Sequence, residues 1–446
     1  MPINDFIISS LNVREDEIKS IDTYVKDGVI TIELELISNT RDCPYCSGPL
    51  KIKDYRKTKI IIGDFNNHQT VVIHKKCRYV CKECNKTLTK KSPLCFKNTN
   101  ISFSVIQAIM NDLRYVNETI VSIAERYHLS CTTIQKYADS FLIVPRLKLS
   151  ESIGLDEIHS IPLTKRNSSY LGVIVDNINR DLLELLPSRS KDELRRYFST
   201  IPKEERLKVK YVTTDLWRPY KDISNIYLPN AKVCADPFHV IKNLNEPFNK
   251  FRVSIMNQKD KNSTAYYLLK NWWKLLLSDE YDFDINANGS YNKVFGQYMN
   301  YYELRKEILK IDDNLYKAYE LKEEFRSFIK DTEAYEAEVM HDEVLNDFIE
   351  ADLPCYKEFI KTIKSWKEEI INSFDKPYDN RKQSNALAEN INSKIQKMIS
   401  VSNGLTNYER TRARALYILN KRVHYSISDT FKSNKVKGRT RGKYNK

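Results

Sequence analysis

The sequence predicts a mixed α/β protein: a small β-rich metal-binding module, a helical module, and then an α/β sheet interrupted by a long helical segment. Three observations predict it. Two C-x-x-C pairs bracket a β-rich stretch near the N-terminus. The apolar period becomes helical after Ser102, and from Ser152 short strands first follow one another and then alternate with helices. Of 446 residues, 41% are hydrophobic and 11% aromatic, enough to bury real cores, which excludes a disordered chain. At roughly 100–200 residues per domain, that length suggests two or three folding units.

A membrane span would need a run of about 18 apolar residues, and the sequence contains none. The first ten residues lack a basic start followed by a long apolar stretch, so no secretory signal is expected. The nine cysteines are therefore expected in a reducing cytoplasm, where paired spacings mean metal more often than disulfide. The formal net charge of +13 is concentrated in two places. Lys51 to Lys97 carries 13 basic residues against 3 acidic ones, and Lys432 to Lys446 carries 7 basic residues and no acids, leaving the rest of the chain at −4. Two basic patches on a slightly acidic background are the electrostatic footprint of a nucleic-acid binder.

The first element is an alternating run, Val29 to Leu36, that reads as a strand. Cys43-Pro44-Tyr45-Cys46 and Cys81-Lys82-Glu83-Cys84 then supply four thiolates on two tight reversals, the pattern of a zinc ribbon holding one Zn2+. Strand-like pieces at Lys59 to Ile62, Thr70 to Ile73 and Arg78 to Val80 lie between them. A redox pair is the competing reading, but it would be expected at the helix start of a βαβ unit, a context not visible here. Cys77 could replace a ligand and is read as a buried thiol.

From Ser102 the apolar residues Val105, Ile106, Ile109 and Met110 repeat with helical spacing. Ile120 to Arg126 and a second segment capped by Ser130, with Ile134 and Tyr137 facing inward, make a helix-turn-helix. Glycine often occupies such a turn; His128 stands here, one of the few side chains that tolerate a positive φ. Cys131, Thr132, Gln135 and Lys136 would then be exposed toward a DNA major groove. A plain helical hairpin is the alternative.

Beyond Pro145, three strands are expected at Ser152 to Glu157, Tyr170 to Asn177 and Leu182 to Arg189, with Asp176-Asn177 at a turn. A helix from Lys191 to Thr200, a strand ending at Thr214, a second helix and a strand from Ala231 to Ala235 complete the order. Three successive strands followed by alternation suggest a ribonuclease-H-like sheet, in which acids on the first and fourth strands lie side by side. Asp156 and Asp215 occupy those places. Phosphodiester chemistry on two Mg2+ (or Mn2+) ions needs a further acid, which a helix carrying Glu389 could bring. Roughly Val240 to Asp379 reads as a helical lobe spliced into this sheet. The expected domains are 1–98 (zinc-binding), 99–146 (helix-turn-helix), 147–239 with 380–425 (catalytic), 240–379 (insertion) and 426–446 (basic tail).

With these residues in view, the chain resembles the ISL-three family of bacterial insertion-sequence transposases, from about Cys43 to Ile418. The resemblance is carried by the two cysteine pairs, by Gly154-Leu155-Asp156-Glu157, and by Pro229 to Val233 leading into Asp236-Pro237-Phe238-His239-Val240. Ser384-Asn385-Ala386 before Glu389, and Asn403 to Tyr408, extend it. It implies a DDE triad of Asp156, Asp215 and Glu389, with Asp236 and His239 as an accessory D-x-x-H pair. Asp236 rivals Asp215 as the second acid, and Asp176 is a weaker rival read as a hairpin residue. The implied function is binding of element ends and Mg-dependent cleavage and strand transfer, on double-stranded DNA comprising terminal inverted repeats and target. Joining two ends implies a homodimer or higher assembly, cytoplasmic and associated with the chromosome, with no membrane partner. A non-catalytic regulator or decayed element, and a nuclease of the same fold that cuts without joining, are the alternatives.

Overall fold

A computed structural model describes residues 11–427 except 12, 39, 97–98, 160–167, 403–404 and 406. The basic run from Lys432 and part of the Asn403 to Tyr408 tract lie outside the described residues. The chain divides into two units, Met1–Arg146 with Lys394–Lys446, and Leu147–Ser393.

In the first unit β1 (Ile18–Lys26) and β2 (Val29–Leu36) form a hairpin, and β2 runs parallel to the later strand His68–Cys81. β3 (Leu50–Phe65) and β4 (His68–Cys81) are one long antiparallel hairpin, and β5 (Thr87–Thr89) adds to β4. Three separate strand pieces were expected here. They are continuous because Asn66 and Asn67, at φ 49° and 63°, make the two-residue left-handed turn that matches strand twist. The charged residues that masked this continuity point to solvent, while Ile32, Leu34, Ile60 and Val72 form the core.

The helix Phe103–Asp112 is followed by Ile120–Arg126 and Cys131–Phe141, joined by a turn in which His128 has φ 53°. Ser130 caps the last of these by accepting from the Thr133 amide. β6 (Leu142–Ile143) pairs with His424–Tyr425. Residues 394–425, expected with the catalytic sheet, therefore group with the N-terminal unit. Their helix Tyr408–Leu419 is fastened there by Arg410, which donates to both oxygens of Asp139 at 3.1 and 2.6 Å. The Tyr417 hydroxyl donates to the Met110 carbonyl at 2.8 Å, and Arg114 donates to the carbonyl of Val423 at 2.7 Å.

The second unit is built on a sheet of order β11-β10-β7-β8-β9. β7 (Ser152–His159), β8 (Tyr170–Asp176) and β9 (Asp181–Leu186) are an antiparallel meander; β10 (Tyr211–Thr214) lies parallel to β7, and β11 (Lys232–Ala235) parallel to β10. Helices Lys191–Ser199 and Arg218–Tyr227 connect the later strands. After β11 the helix Pro237–Asn257 opens a lobe of eight helices among the described residues up to Asn372, with a small hairpin, β12 (Ser290–Asn292) and β13 (Gln297–Met299). This lobe has its own core, in which Phe248, Leu276, Phe325, Phe348, Tyr356 and Phe359 are buried together. The chain then returns to the sheet through the helix Ala386–Val401.

Candidate active site

Strand register builds the site. Thr214 of β10 stands opposite Leu155 of β7 and opposite Ala235 of β11. The residue that follows each of these is acidic, so Asp156, Asp215 and Asp236 occupy one row across three adjacent strands, the last two directly after the ends of β10 and β11. Such a row lies at the carboxyl ends of the parallel strands, where open α/β sheets bind ligands.

Asp156 is buried on β7. One oxygen accepts from the Glu157 amide at 2.8 Å, and the other from Asn392 Nδ2 at 2.9 Å. Burial pushes its carboxyl up to about 7, despite the Glu157 amide bond, and the negative charges of Asp215 and Glu157 add to the rise. Asp215 is half-buried and accepts from the Trp217 amide at 3.1 Å. Burial, followed by the Glu157 charge, pushes it up to about 6. Both acids are held where a second negative charge is unwelcome, and a cation would relieve them.

Asp236 is 2% exposed, and both of its oxygens are engaged. One accepts from the Asn385 amide at 3.0 Å, and the other holds His239 Nδ1 at 2.8 Å. That bond raises the His239 pKa against the effect of burial, and Asp215 and Asp156 contribute to the rise. Holding Nδ1 also turns Nε2 of the same ring away from Asp236, the arrangement common for imidazoles beside metals. Among the described residues, the ligand atoms of Asp236, His239 and Glu389 lie within 4.8 Å of one another. Asp156 and Asp215 do not join that group at this distance; they are coupled to it through His239 and through each other's charge.

The helix Ala386–Val401 was singled out for Glu389, but the sequence reading gave no role of their own to Asn385, at its start, or to Asn392, within it. Their i, i+4, i+7 spacing with Glu389 was the available signal. Glu157, next to Asp156, holds Arg189, whose guanidinium lies over the rings of Tyr170 at 4.1 Å and Trp217 at 4.7 Å. The Tyr220 hydroxyl donates to the Asp156 carbonyl at 2.9 Å and to Glu157 at 3.1 Å. No pattern in the sequence pointed to this support. Asp176 is buried at the β8 hairpin, accepting from the amides of Ile178 and Asn179, so its carboxylate closes a turn.

In the first unit, Cys43, Cys46, Cys81 and Cys84 converge within 4.8 Å. Cys43 and Cys84 sulfurs are 3.7 Å apart, and Cys46 and Cys81 sulfurs 3.5 Å apart. A tetrahedron with metal–sulfur bonds of about 2.3 Å has edges of about 3.8 Å, so the four thiols fit one ion of zinc's size and preference. Each knuckle reverses through a left-handed residue directly after its second cysteine, Ser47 and Asn85. The backbone amides of Cys84 and Glu83 hold the Cys81 thiol down to about 7, favouring the thiolate. On the helix Cys131–Phe141, Cys131, Thr132 and Lys136 are exposed. Gln135 is half-buried and donates to Asp139 at 2.8 Å, which ties it within its own helix.

The profile of a family described as transposase, of the ISL3 DDE type, matches residues 153–415, more than half of the chain. The match covers every acid of the site, and it places the chain among transposases. The chain belongs to the ISL3 family. It is similar to the transposase for insertion sequence element IS1001 of Bordetella parapertussis, 24% identical over 220 residues, which are 48% of this chain and 53% of that protein. It is also similar to the transposase for insertion sequence element IS1557 of Mycobacterium tuberculosis, 31% identical over 105 residues, 24% of this chain and 23% of that protein. The chain thus spans about half the length of the first relative and about a quarter of the second.

Proposed function

We propose that the chain cuts DNA at the ends of an insertion sequence and joins the freed 3′ ends to target DNA, using a ribonuclease-H-like centre. The observation that carries this reading is the row of Asp156, Asp215 and Asp236 across β7, β10 and β11, with Glu389 brought beside it by a helix from the far side of the insertion. The strand order, three antiparallel and then two parallel, supports the ribonuclease-H-like assignment.

The donor set is carboxylate oxygen with one imidazole, which fits hard divalent cations such as Mg2+ or Mn2+. Asn392 Oδ1, buried without a partner beside Asp156, is a further oxygen a hydrated cation would satisfy. Asp156, Asp215 and Glu389 would hold the ions. Bound there, two Mg2+ ions supply Lewis acidity to the attacking and the leaving oxygen of the phosphodiester. Asp236 is committed on both oxygens, so its part is to orient His239 and the start of the Glu389 helix. This favours Asp215 over Asp236 as the second acid. His239, oriented by Asp236 and with its pKa raised by that bond, would hold a proton or a phosphate oxygen beside the acids.

The four thiols would hold Zn2+ and shape the basic β3–β4 hairpin into a DNA-binding surface, with Thr132 and Lys136 reading the major groove. Gln135 would need to leave Asp139 to join them. Element ends and target would both be double-stranded DNA, and pairing two ends would take at least two copies of the chain. No helix among the described residues is long and apolar enough to cross a membrane. The proposed substrate would place the work of the chain on the chromosome, in the cytoplasm.

The test is incubation of labelled duplex from the flanks of the gene with the purified chain and Mg2+ or Mn2+, beside Glu389→Gln. End-specific 3′-hydroxyl products that join a second duplex, absent with Glu389→Gln, are expected. Specific binding without metal-dependent cleavage would instead favour a regulator, and cleavage without joining a nuclease.

A further inference from the structure

We propose that Asn385 and Asn392 are a pair of positioning residues that fix the register of the Glu389 helix against β7, and so set how tightly the centre holds its cations. This rests on the reading of Asp156 and Glu389 as metal-holding acids. The two asparagines flank Glu389 at i−4 and i+3, Asn385 directly before the first turn of the helix and Asn392 within it. Each grips β7. Asn385 Nδ2 donates to the Leu155 carbonyl at 3.2 Å, and its Oδ1 accepts from the Thr213 hydroxyl at 3.2 Å. Asn392 Nδ2 donates to Asp156 Oδ2 at 2.9 Å and to the Glu157 carbonyl at 3.2 Å. Glu389 is therefore suspended between one amide bonded to residue 155 and another bonded to residues 156 and 157.

Three further details show that the device is built in. Asn385 is 0% exposed, and its backbone amide is the donor that occupies Asp236. Thr213 Oγ1 also accepts from Asn177 at 3.1 Å, which leaves its proton for Asn385. Gly154 leaves the space: a Cβ there would lie 2.8 Å from Asn385 Oδ1. Sliding the helix by one residue would turn it by about 100° and swing Glu389 out of the row, breaking four bonds to do so. Asn392 also directs Asp156: by donating to one oxygen it fixes the carboxylate plane and leaves lone pairs facing the row.

The experiment uses the full-length chain in three variants, Asn392→Leu (similar shape, no donor), Asn392→Ser, and Asn390→Ala as a control at an exposed position on the same helix. Mn2+ binding is titrated by the electron-spin signal of the free ion, and cleavage of end DNA is measured against Mn2+ concentration. For both Asn392 variants the half-saturating Mn2+ should rise about tenfold in the two assays together. Cleavage at saturating Mn2+ should stay within about threefold of the parent, and the control should match the parent. Unchanged Mn2+ binding, or a cleavage rate that saturating Mn2+ does not restore, would overturn the proposal. Should Asn392→Leu not fold, Asn392→Ser decides alone. Glu389→Gln separates the two readings: cleavage that survives it removes the catalytic assignment itself, whereas its loss beside normal Asn392 variants removes only the register device.

Discussion

Asp156→Asn should stabilise the protein at pH 8 and do so only when the divalent cation is absent. Burial and neighbouring charge move the Asp156 carboxyl from the ordinary 3.8 to about 7, a difference of about 4 kcal/mol at ~1.4 kcal/mol per pH unit. The sign follows from proton uptake. A carboxyl raised in the folded state binds more protons folded than unfolded between about pH 4 and 7, so its contribution to stability is lost as pH rises through that window. Asparagine removes the charge but presents an amide to Asn392 Nδ2. Asn392 can then reverse its own amide, whose Oδ1 has no partner, and accept instead. That reversal gives up its bond to the Glu157 carbonyl, at a cost of about 1 kcal/mol. The net gain is about 3 kcal/mol at pH 8, turning into a loss of about 1 kcal/mol at pH 4. The assay is urea unfolding in magnesium-free buffer followed by tryptophan fluorescence. All four tryptophans, Trp217, Trp272, Trp273 and Trp366, lie within Leu147–Ser393, so the signal reports the unit that carries the site. At ~2–3 kcal/mol per molar urea the midpoint should rise by about 1 M at pH 8. Saturating Mg2+ should close the gap by stabilising the parent alone. A variant less stable than the parent at pH 8, or one shifted equally at pH 4 and pH 8, would refute the reasoning.

Two further outcomes test other parts of the structure. Gly154→Ala places a Cβ 2.7 Å from Val175 Cγ2 and 2.8 Å from Asn385 Oδ1; it should cost about 1–3 kcal/mol by overpacking and lower end cleavage at least tenfold, read by the same urea titration and by product formation. Cys81→Ser should remove one equivalent of bound zinc, measured by elemental analysis, and weaken DNA binding in a gel-shift assay, while the tryptophan-reported urea midpoint stays where it was.

The sequence carried a good share of this architecture because the signals were local. A C-x-x-C pair announces its own geometry, a positive φ at His128 follows from which side chains tolerate it, and successive apolar runs announce the β7-β8-β9 meander. What escaped depended on partners far along the chain. Charged residues on β3 and β4 hid one long hairpin behind three short pieces. Arg410 gives no hint in sequence that it grips Asp139, so the packing of the final helix on the helices of the first unit was not foreseen. Asp156 and Asp215 were legible as acids, but the register that aligns them with Asp236 is a property of paired strands. Asn385 was legible only as part of the Ser384-Asn385-Ala386 tract and Asn392 as an ordinary polar residue, and neither shows its role until β7 is laid against them.

The 152 residues between Asp236 and Glu389 have a consequence in time. At roughly 5–20 residues per second the ribosome needs about 8–30 s to pass from one to the other. During that interval the growing chain already carries the sheet and its three aspartates, and the insertion can collapse around its own core. The helix that brings Glu389 is made last. Until it docks, the row of aspartates lacks Glu389 and Asp236 lacks its bond from Asn385, so on the proposed reading a half-made molecule emerging beside nucleic acid would not yet cut.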